Sequence, residues 1–575
     1  MPLLAYIAGK PAAFTSKDHN FYPGETAEKQ LILVNNSRLE VTADCQWSFD
    51  TPHPLSGTTK VTVPPGDQKR LPLNLKLPLK LPSDLSAGQY SVQATVNFDN
   101  GEKQKDSFTI DIQPRPAAVH TVAKIAVFDP RGETGKLLDG MGIQWERVDA
   151  NVDAAKFEML IIGKGALSLH NAAPNLQAVG NGLKVVIFEQ TGEVLEKRFG
   201  FRIAEYGLRW VFKRVPDHPV LAGMEDEHLR NWRGASTTLA PKLAYELSPQ
   251  FSNSPTVQWA GLPVTRVWRC GNRGNVASAL IEKPACGDFL PILDGGYALQ
   301  YTSLVEHRAG KGMVLFCQTD VNGRTETDPA AETLSRNIIQ YASTWQPRPM
   351  RSVVYAGDGI GKDYLASAGI RVADYQSEKL SAGHVLVVGP GGGKELAAQR
   401  ADVSAWVGAG GKVLALGLDD AEANSFLPMR VSTVRREYIS SCFEPFGADS
   451  PLAGVSPAEV HNRDPRDLPL IAAISGRATV AADGVLATAA DGNVVFCQLV
   501  PWQFDYSGEK MNIKRTYRRV SCLLARLLGN MQAAGETPIL QHISTPVSEN
   551  EKRWLTGLYL DSPQEWDDPY RFFRW

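Results

Sequence analysis

Gly312-Met-Val-Leu-Phe-Cys-Gln318 and Gly492-Asn-Val-Val-Phe-Cys-Gln498 share one pattern: a glycine, a short run with consecutive apolar residues, then cysteine and glutamine. Such a run, bounded by turn residues, reads as a strand buried on both faces, as in a parallel sheet. Each closes a longer passage, and the two passages follow the same course. The first opens at Lys124-Ile-Ala-Val-Phe-Asp129 and runs through Phe157-Glu-Met-Leu-Ile-Ile-Gly163 and Leu183-Lys-Val-Val-Ile-Phe188. The second opens at Arg351-Ser-Val-Val-Tyr355 and runs through His384-Val-Leu-Val-Val-Gly389 and Gly411-Lys-Val-Leu-Ala-Leu416. A repeat this long is a domain duplication, because solenoid units run to only a few tens of residues.

Outward from these strands, helical stretches are expected over 134–141 and 362–368, followed by strands over 144–148 and 371–375. Alternation of strand and helix argues for a parallel sheet covered on both faces, with a flavodoxin-like start. After each Phe-Cys-Gln strand come a polar loop and a helix, over 331–341 and 517–528. The chain before about Pro116 is different. Lys29-Gln-Leu-Ile-Leu-Val34, Gln68-Lys-Arg-Leu-Pro-Leu-Asn-Leu75, Tyr90-Ser-Val-Gln-Ala-Thr-Val-Asn-Phe98 and Asp106-Ser-Phe-Thr-Ile-Asp-Ile112 alternate apolar and polar residues between turns, the pattern of a β-sandwich. Gln113-Pro-Arg-Pro116 and Trp345-Gln-Pro-Arg-Pro349 read as linkers, because prolines at that spacing stiffen the chain and end sheet pairing. The expected architecture is multidomain: an Ig-like β-sandwich over 1–116, α/β flavodoxin-like domains over 121–346 and 350–532, and a docking tail over 533–575. The tail ends in Trp566-Asp-Asp-Pro-Tyr-Arg-Phe-Phe-Arg-Trp575, whose aromatics favour packing over solvation.

At 575 residues the chain exceeds the roughly 250–300 residues at which single cores stop growing. A formal charge of -2, with 43% apolar and 21% charged residues, gives no reason to expect nucleic acid or an acidic membrane as partner. The seven cysteines contain no C-x-x-C pair, so no zinc site or disulfide framework is read. Cys317 and Cys497, in matching strands, are expected to be core thiols. No run reaches the roughly 18 apolar residues of a membrane span. The start carries no basic region followed by an apolar core, so no signal peptide is expected. The protein is then cytoplasmic, or Met1 is not the start of the parent polypeptide.

Gly389-Pro-Gly-Gly-Gly-Lys-Glu395 lacks the Walker spacing, and Glu395 would repel phosphate. A tight turn is expected there, as at Gly163-Lys-Gly165, and no cofactor or metal is expected. Strand order and strand-final glycine loops resemble the class I glutamine amidotransferase-like fold. Active members of that fold carry a cysteine nucleophile in a G-x-C-x-G elbow. The matching points here, Phe188-Glu-Gln-Thr-Gly192 and Leu416-Gly-Leu-Asp-Asp420, have neither cysteine nor serine, and no G-x-S-x-G occurs elsewhere. The dense polar clusters are Leu229-Arg-Asn-Trp-Arg-Gly234, Val267-Trp-Arg-Cys-Gly-Asn-Arg273 and Asp320-Val-Asn-Gly-Arg-Thr-Glu-Thr-Asp328. Trp232, Arg233, Arg273, Asp320, Arg324 and Glu326 suit a sugar, tryptophan stacking on the ring while the others bond hydroxyls. A buried salt-bridge network at a domain interface is the alternative. Glu306, Glu326 and Asp328 offer carboxylates for glycoside cleavage, whereas His218 and His461 near turns suit surface or capping roles.

The segments 2–10 and 14–25, Trp232-Arg-Gly-Ala-Ser236, the Asp320 loop and the closing aromatic segment together resemble the region downstream of the catalytic barrel in large bacterial β-galactosidase-like glycoside hydrolases. In that family an (α/β)8 barrel carries the catalytic glutamates. The resemblance implies a non-catalytic accessory region or subunit, whose partners are a catalytic barrel in cis or in trans, a second copy of itself, or carbohydrate. If it is the back half of an exported enzyme, its compartment is periplasmic or extracellular. A hydrolase built on the Asp320 loop and a stand-alone carbohydrate-binding protein are the alternatives.

Overall fold

A computed structural model describes residues 2–51, 54–71, 79–80, 86–239, 257–259, 262–264, 273–375, 380–508, 510–548, 551 and 553–561. The protein is multidomain and mixed α/β. At its amino-terminal end two sheets face each other, antiparallel except where Asn20–Phe21 runs parallel to Lys103–Ile112. One orders Leu3–Ala8, Gln30–Asn35 and Gln68–Leu71. The other contains Asn20–Phe21, Lys103–Ile112, Gly88–Phe98, Val41–Phe49 and Leu55–Val63. Val41–Phe49 shows why the sheets pack: Val41, Ala43, Cys45, Trp47 and Phe49 are buried while the residues between them are not. With a period of two, one face of the strand is apolar. It meets Leu3, Leu31 and Leu33 of the facing sheet in one core.

The strands expected near 29–34, 90–98 and 106–112 are present as Gln30–Asn35, Gly88–Phe98 and Lys103–Ile112. The one expected over 68–75 is described only as Gln68–Leu71, its remainder lying outside the described residues. Three longer strands, Leu3–Ala8, Val41–Phe49 and Leu55–Val63, and the two-residue strands Asn20–Phe21, Thr26–Ala27 and Leu79–Lys80 lie outside the expected set.

Next comes a sheet whose parallel part is ordered Glu146–Arg147, Ile125–Phe128, Met159–Ile162, Lys184–Ile187 and Gly312–Cys317. The last three strands are wholly buried apart from Lys184, as a sheet with both faces covered requires. Beyond Gly312–Cys317 the sheet turns antiparallel through Tyr301–Ala309, Ala277–Glu282 and Ile203–Leu208. A second sheet repeats this order: Val372–Asp374, Ser352–Ala356, His384–Val388, Lys412–Leu416 and Val494–Cys497 run parallel, then Leu486–Ala489 and Ala478–Ala481 antiparallel.

The expected helices appear as Glu133–Gly140, Gly359–Ser367, Pro329–Thr344 and Met511–Asn530. Asp328 starts the third, its side chain accepting from Ala330 N with Pro329 at the first helical position, an arrangement that satisfies one free amide and presets the backbone. The strand expected over 144–148 shortens to Glu146–Arg147.

Helix Met511–Asn530 joins the two α/β units through buried charge. Arg518 Nη2 lies 2.8 Å from Glu282 Oε1, and Arg526 Nη2 lies 2.7 Å from Asp288 Oδ1. Asp561 receives Arg202 Nη1 at 2.9 Å and Arg518 Nε at 3.0 Å. Upstream of it, Ile539 and Ile543 pack with Phe199, Phe201 and Phe316. The aromatic end, 562–575, lies outside the described residues. Among the described residues no helix is long and apolar enough to cross a membrane.

Candidate functional site

Open parallel sheets present their ligands at the carboxyl ends of the strands. In the first α/β unit three adjacent parallel strands deliver one charge each to that place. Lys164 follows Met159–Ile162, Glu189 follows Lys184–Ile187, and Asp320 follows Gly312–Cys317. All three side chains are buried. Lys164 Nζ lies 3.3 Å from Glu189 Oε2 and 3.1 Å from Asp320 Oδ1, and it also donates to Thr237 Oγ1 at 3.0 Å.

Every remaining lone pair of the Asp320 carboxylate is engaged. Oδ1 accepts from Thr237 Oγ1 at 2.6 Å, and Oδ2 accepts from Thr237 N at 2.9 Å, Arg324 Nη1 at 2.9 Å and Ser236 Oγ at 3.2 Å. Glu189 Oε1 accepts from Ser278 Oγ at 2.8 Å and Leu239 N at 3.1 Å. The segment 236–239 thus closes over the strand ends. Burial opposes the charge of Lys164, yet Glu189 and Asp320 hold its pKa above the ordinary lysine value. Burial pushes Glu189 up to about 7 against the pull of Lys164. A lysine held charged between two carboxylates is a poor base or nucleophile, since both uses need its proton gone.

In the second unit the matching positions are Pro390, Gly417 and Val500. They converge as well: a side-chain carbon built on Gly417 would sit 3.4 Å from Val500 Cγ1 and 3.9 Å from the Pro390 ring. One backbone arrangement therefore holds a charged cluster in one unit and an apolar one in the other. Cys317 and Cys497 lie beneath these points, fully buried, and burial pushes their thiols up to about 11 and about 12. Neither is a thiolate nucleophile at neutral pH.

The residues singled out for sugar contact divide. Asp320 and Arg324 come together in the network above. Trp232 is fully buried and donates Nε1–H to His228 O at 2.9 Å, so its ring offers no face to a sugar. Arg233 clamps the sandwich: Nη1 donates to Glu25 Oε2 at 2.6 Å and Asn20 O at 3.0 Å, and its backbone amide donates to Asp328 Oδ2 at 2.7 Å. Arg273 and Glu326 are exposed. The rest of the 267–273 cluster lies outside the described residues.

The candidate carboxylates are separated in the same way. Glu306 is buried and receives Arg308 Nε at 2.5 Å and the Tyr341 hydroxyl, with His218 Nε2 at 3.6 Å. Burial alone would raise its pKa, but Arg308 and His218 hold it well below the carboxylate range. Asp328 is a buried helix cap whose pKa burial raises. His218 caps a turn through Val220 N, although it is buried rather than on the surface. Among the described residues no cluster of His, Cys, Asp and Glu is placed to hold a metal ion. Lys164 and Glu189 were missed as partners of Asp320. The available signal was that all three lie within two residues of the ends of predicted parallel strands.

No family model matches the chain, and no curated protein matches its sequence. Among solved structures, Bacteroides uniformis beta-glucuronidase 2 is similar at 10% identity over 32% of this chain and 22% of its own, with a TM-score of 0.13. A family 123 glycoside hydrolase from Clostridium perfringens gives 11% identity over 24% and 32% of the two chains, with a TM-score of 0.12. Red sea bream transglutaminase gives 13% identity over 22% and 19%, with a TM-score of 0.15. Glycoside hydrolases are thus among the structural neighbours of this chain, at low identity and with each match covering less than a third of either chain.

Proposed function

We propose that this chain is a non-catalytic accessory region or subunit of a β-galactosidase-like glycoside hydrolase, built from an Ig-like sandwich, two amidotransferase-like domains and a docking tail. It serves assembly with a catalytic barrel, in cis or in trans, and contact with carbohydrate. The observation that carries the non-catalytic reading is the fate of the matched strand ends. A buried, hydrogen-bonded ion cluster fills them in one unit and Pro390, Gly417 and Val500 fill them in the other, with no exposed thiol at either among the described residues. The shared 2-1-3-4-5 strand order supports the flavodoxin-like assignment.

The test has two arms. The purified chain is expected to release no product from aryl glycosides. Asp320→Ala is expected to lower stability by roughly 3–5 kcal/mol in urea denaturation, because it leaves Arg324 buried without its carboxylate and Lys164 with Glu189 alone. Turnover by the wild-type chain that Asp320→Ala abolishes without loss of stability would establish instead the hydrolase built on the Asp320 loop.

A further inference from the structure

We propose that the cleft between the sandwich and the first α/β unit binds a carboxylated sugar, with Arg209 as the partner of its carboxylate. The cleft measures about 700 Å³ and is lined on the sandwich side by Tyr6, Phe14, Lys17 and Phe108, and on the other by Arg209, Arg230 and Asn231. Its volume and its place between two domains are those of a small-molecule site.

The charge of this cleft is unbalanced. Arg202, Arg214, Arg233 and Arg324 of the same unit each meet a carboxylate. Arg209 is half-buried, and its guanidinium has no hydrogen-bond or ion-pair partner among the described residues. Lys17 is exposed, and its ammonium likewise has no partner among them. Among the described residues the one carboxylate in the lining, Asp106, is engaged by Ile7 N at 2.7 Å and Ser107 N at 2.9 Å. Arg230 is paired with Glu227 and lies 5.3 Å over the ring of Trp210. A guanidinium in a half-desolvated cleft is best satisfied by a planar carboxylate, which it binds through two parallel hydrogen bonds.

Backbone geometry adds a second observation. Asn231 holds φ at +45°, a left-handed conformation uncommon for a residue with a side chain. Its amide donates to Arg209 O at 2.7 Å, which ties the strained residue to the unpaired arginine. Such strain is concentrated at ligand sites. Tyr6 and Phe14 supply apolar surface for the face of a pyranose. Choosing a sugar among carboxylates rests on the carbohydrate contact proposed above.

Calorimetric titration of the full chain with D-glucuronate, D-glucose and acetate tests the site. Glucuronate is expected to bind, and Arg209→Ala to weaken it about tenfold or more, the loss expected for one charge-assisted pair. Phe14→Ala is expected to weaken it as well, both variants keeping the wild-type circular dichroism. Glucose binding as well as glucuronate would overturn the role of the carboxylate, and acetate binding as well would overturn the sugar. No heat with glucuronate, or binding indifferent to both substitutions, would overturn the site. Turnover of an aryl glucuronide alongside Arg209-dependent glucuronate binding would instead remove the accessory reading and leave this site standing.

Discussion

His307 and Glu189 are both buried titratable groups of the first α/β unit, and they push the pH dependence of stability in opposite directions. Burial takes His307 down to about 4, against the pull of Asp288. Between about 4 and the unfolded value of about 6.5, the unfolded chain binds a proton that the native protein refuses. Its contribution is full above that window and is lost as pH falls through it. Glu189, raised to about 7, keeps a proton that the unfolded chain releases, so its contribution is lost as pH rises toward 7. His307→Gln is therefore expected to shrink the stability difference between pH 7.5 and pH 4 by about 3 kcal/mol. Urea titrations at the two pH values measure it, and an unchanged difference would refute the assignment. Residues of this kind were the least legible in the sequence. Trp232 and Asp320 read equally well as sugar contacts or as core network, because a side chain's solvation depends on neighbours that local sequence does not name.

Legibility among the elements follows the same logic. Val185, Val186 and Ile187 are wholly buried, and such runs were readable because every position faces protein. The antiparallel extension was not readable. Phe289–Gly295 and Tyr301–Ala309 carry the buried polar residues Asp294, Thr302, Glu306 and His307, which break the apolar pattern and are satisfied only by partners such as Arg214 and Arg308. In the sandwich, Val41–Phe49 hides its alternation because two of its inward residues, Ala43 and Cys45, are small.

The carboxyl-terminal segment docks on a close backbone approach. Gly200 has φ +85°, and a side-chain carbon there would come within 2.5 Å of Arg553 O and 2.7 Å of Leu555 N. Leu555 N donates to Gly200 O at 2.9 Å. Gly200→Ala is expected to cost roughly 1–3 kcal/mol and to raise hydrogen exchange at Leu555 while Val185 and Val314 stay protected. Equal protection of Leu555 in variant and wild type would show that the segment does not depend on this contact.

Across the whole molecule, the two α/β units share an interface held by charge that cannot be resolvated piecemeal. Lys283 of the first unit meets Asp294 at 3.0 Å and Glu459 of the second at 3.2 Å. Arg518 binds Glu282 and Asp561 together. Separating the units would leave these ions partly buried without their partners, so calorimetry is expected to show both unfolding in one transition. Arg518→Ala is expected to lower their common stability by roughly 3–5 kcal/mol. Two resolved transitions in the wild type would contradict this.

By itself the sequence determined the two parallel sheets and their common order of strand and helix. An unbroken apolar run of four or five residues can be buried on both sides only inside a sheet with covered faces. It determined equally that neither matching turn carries a cysteine or a serine. What only the tertiary structure decided is where the charges go. Asp320 and Lys164 are 156 residues apart, and whether such a carboxylate is a ligand site or a locked ion depends on which distant chain segments fold over it. Burial strengthens each electrostatic contact and removes the competing water at once, and that balance is set by the assembled fold.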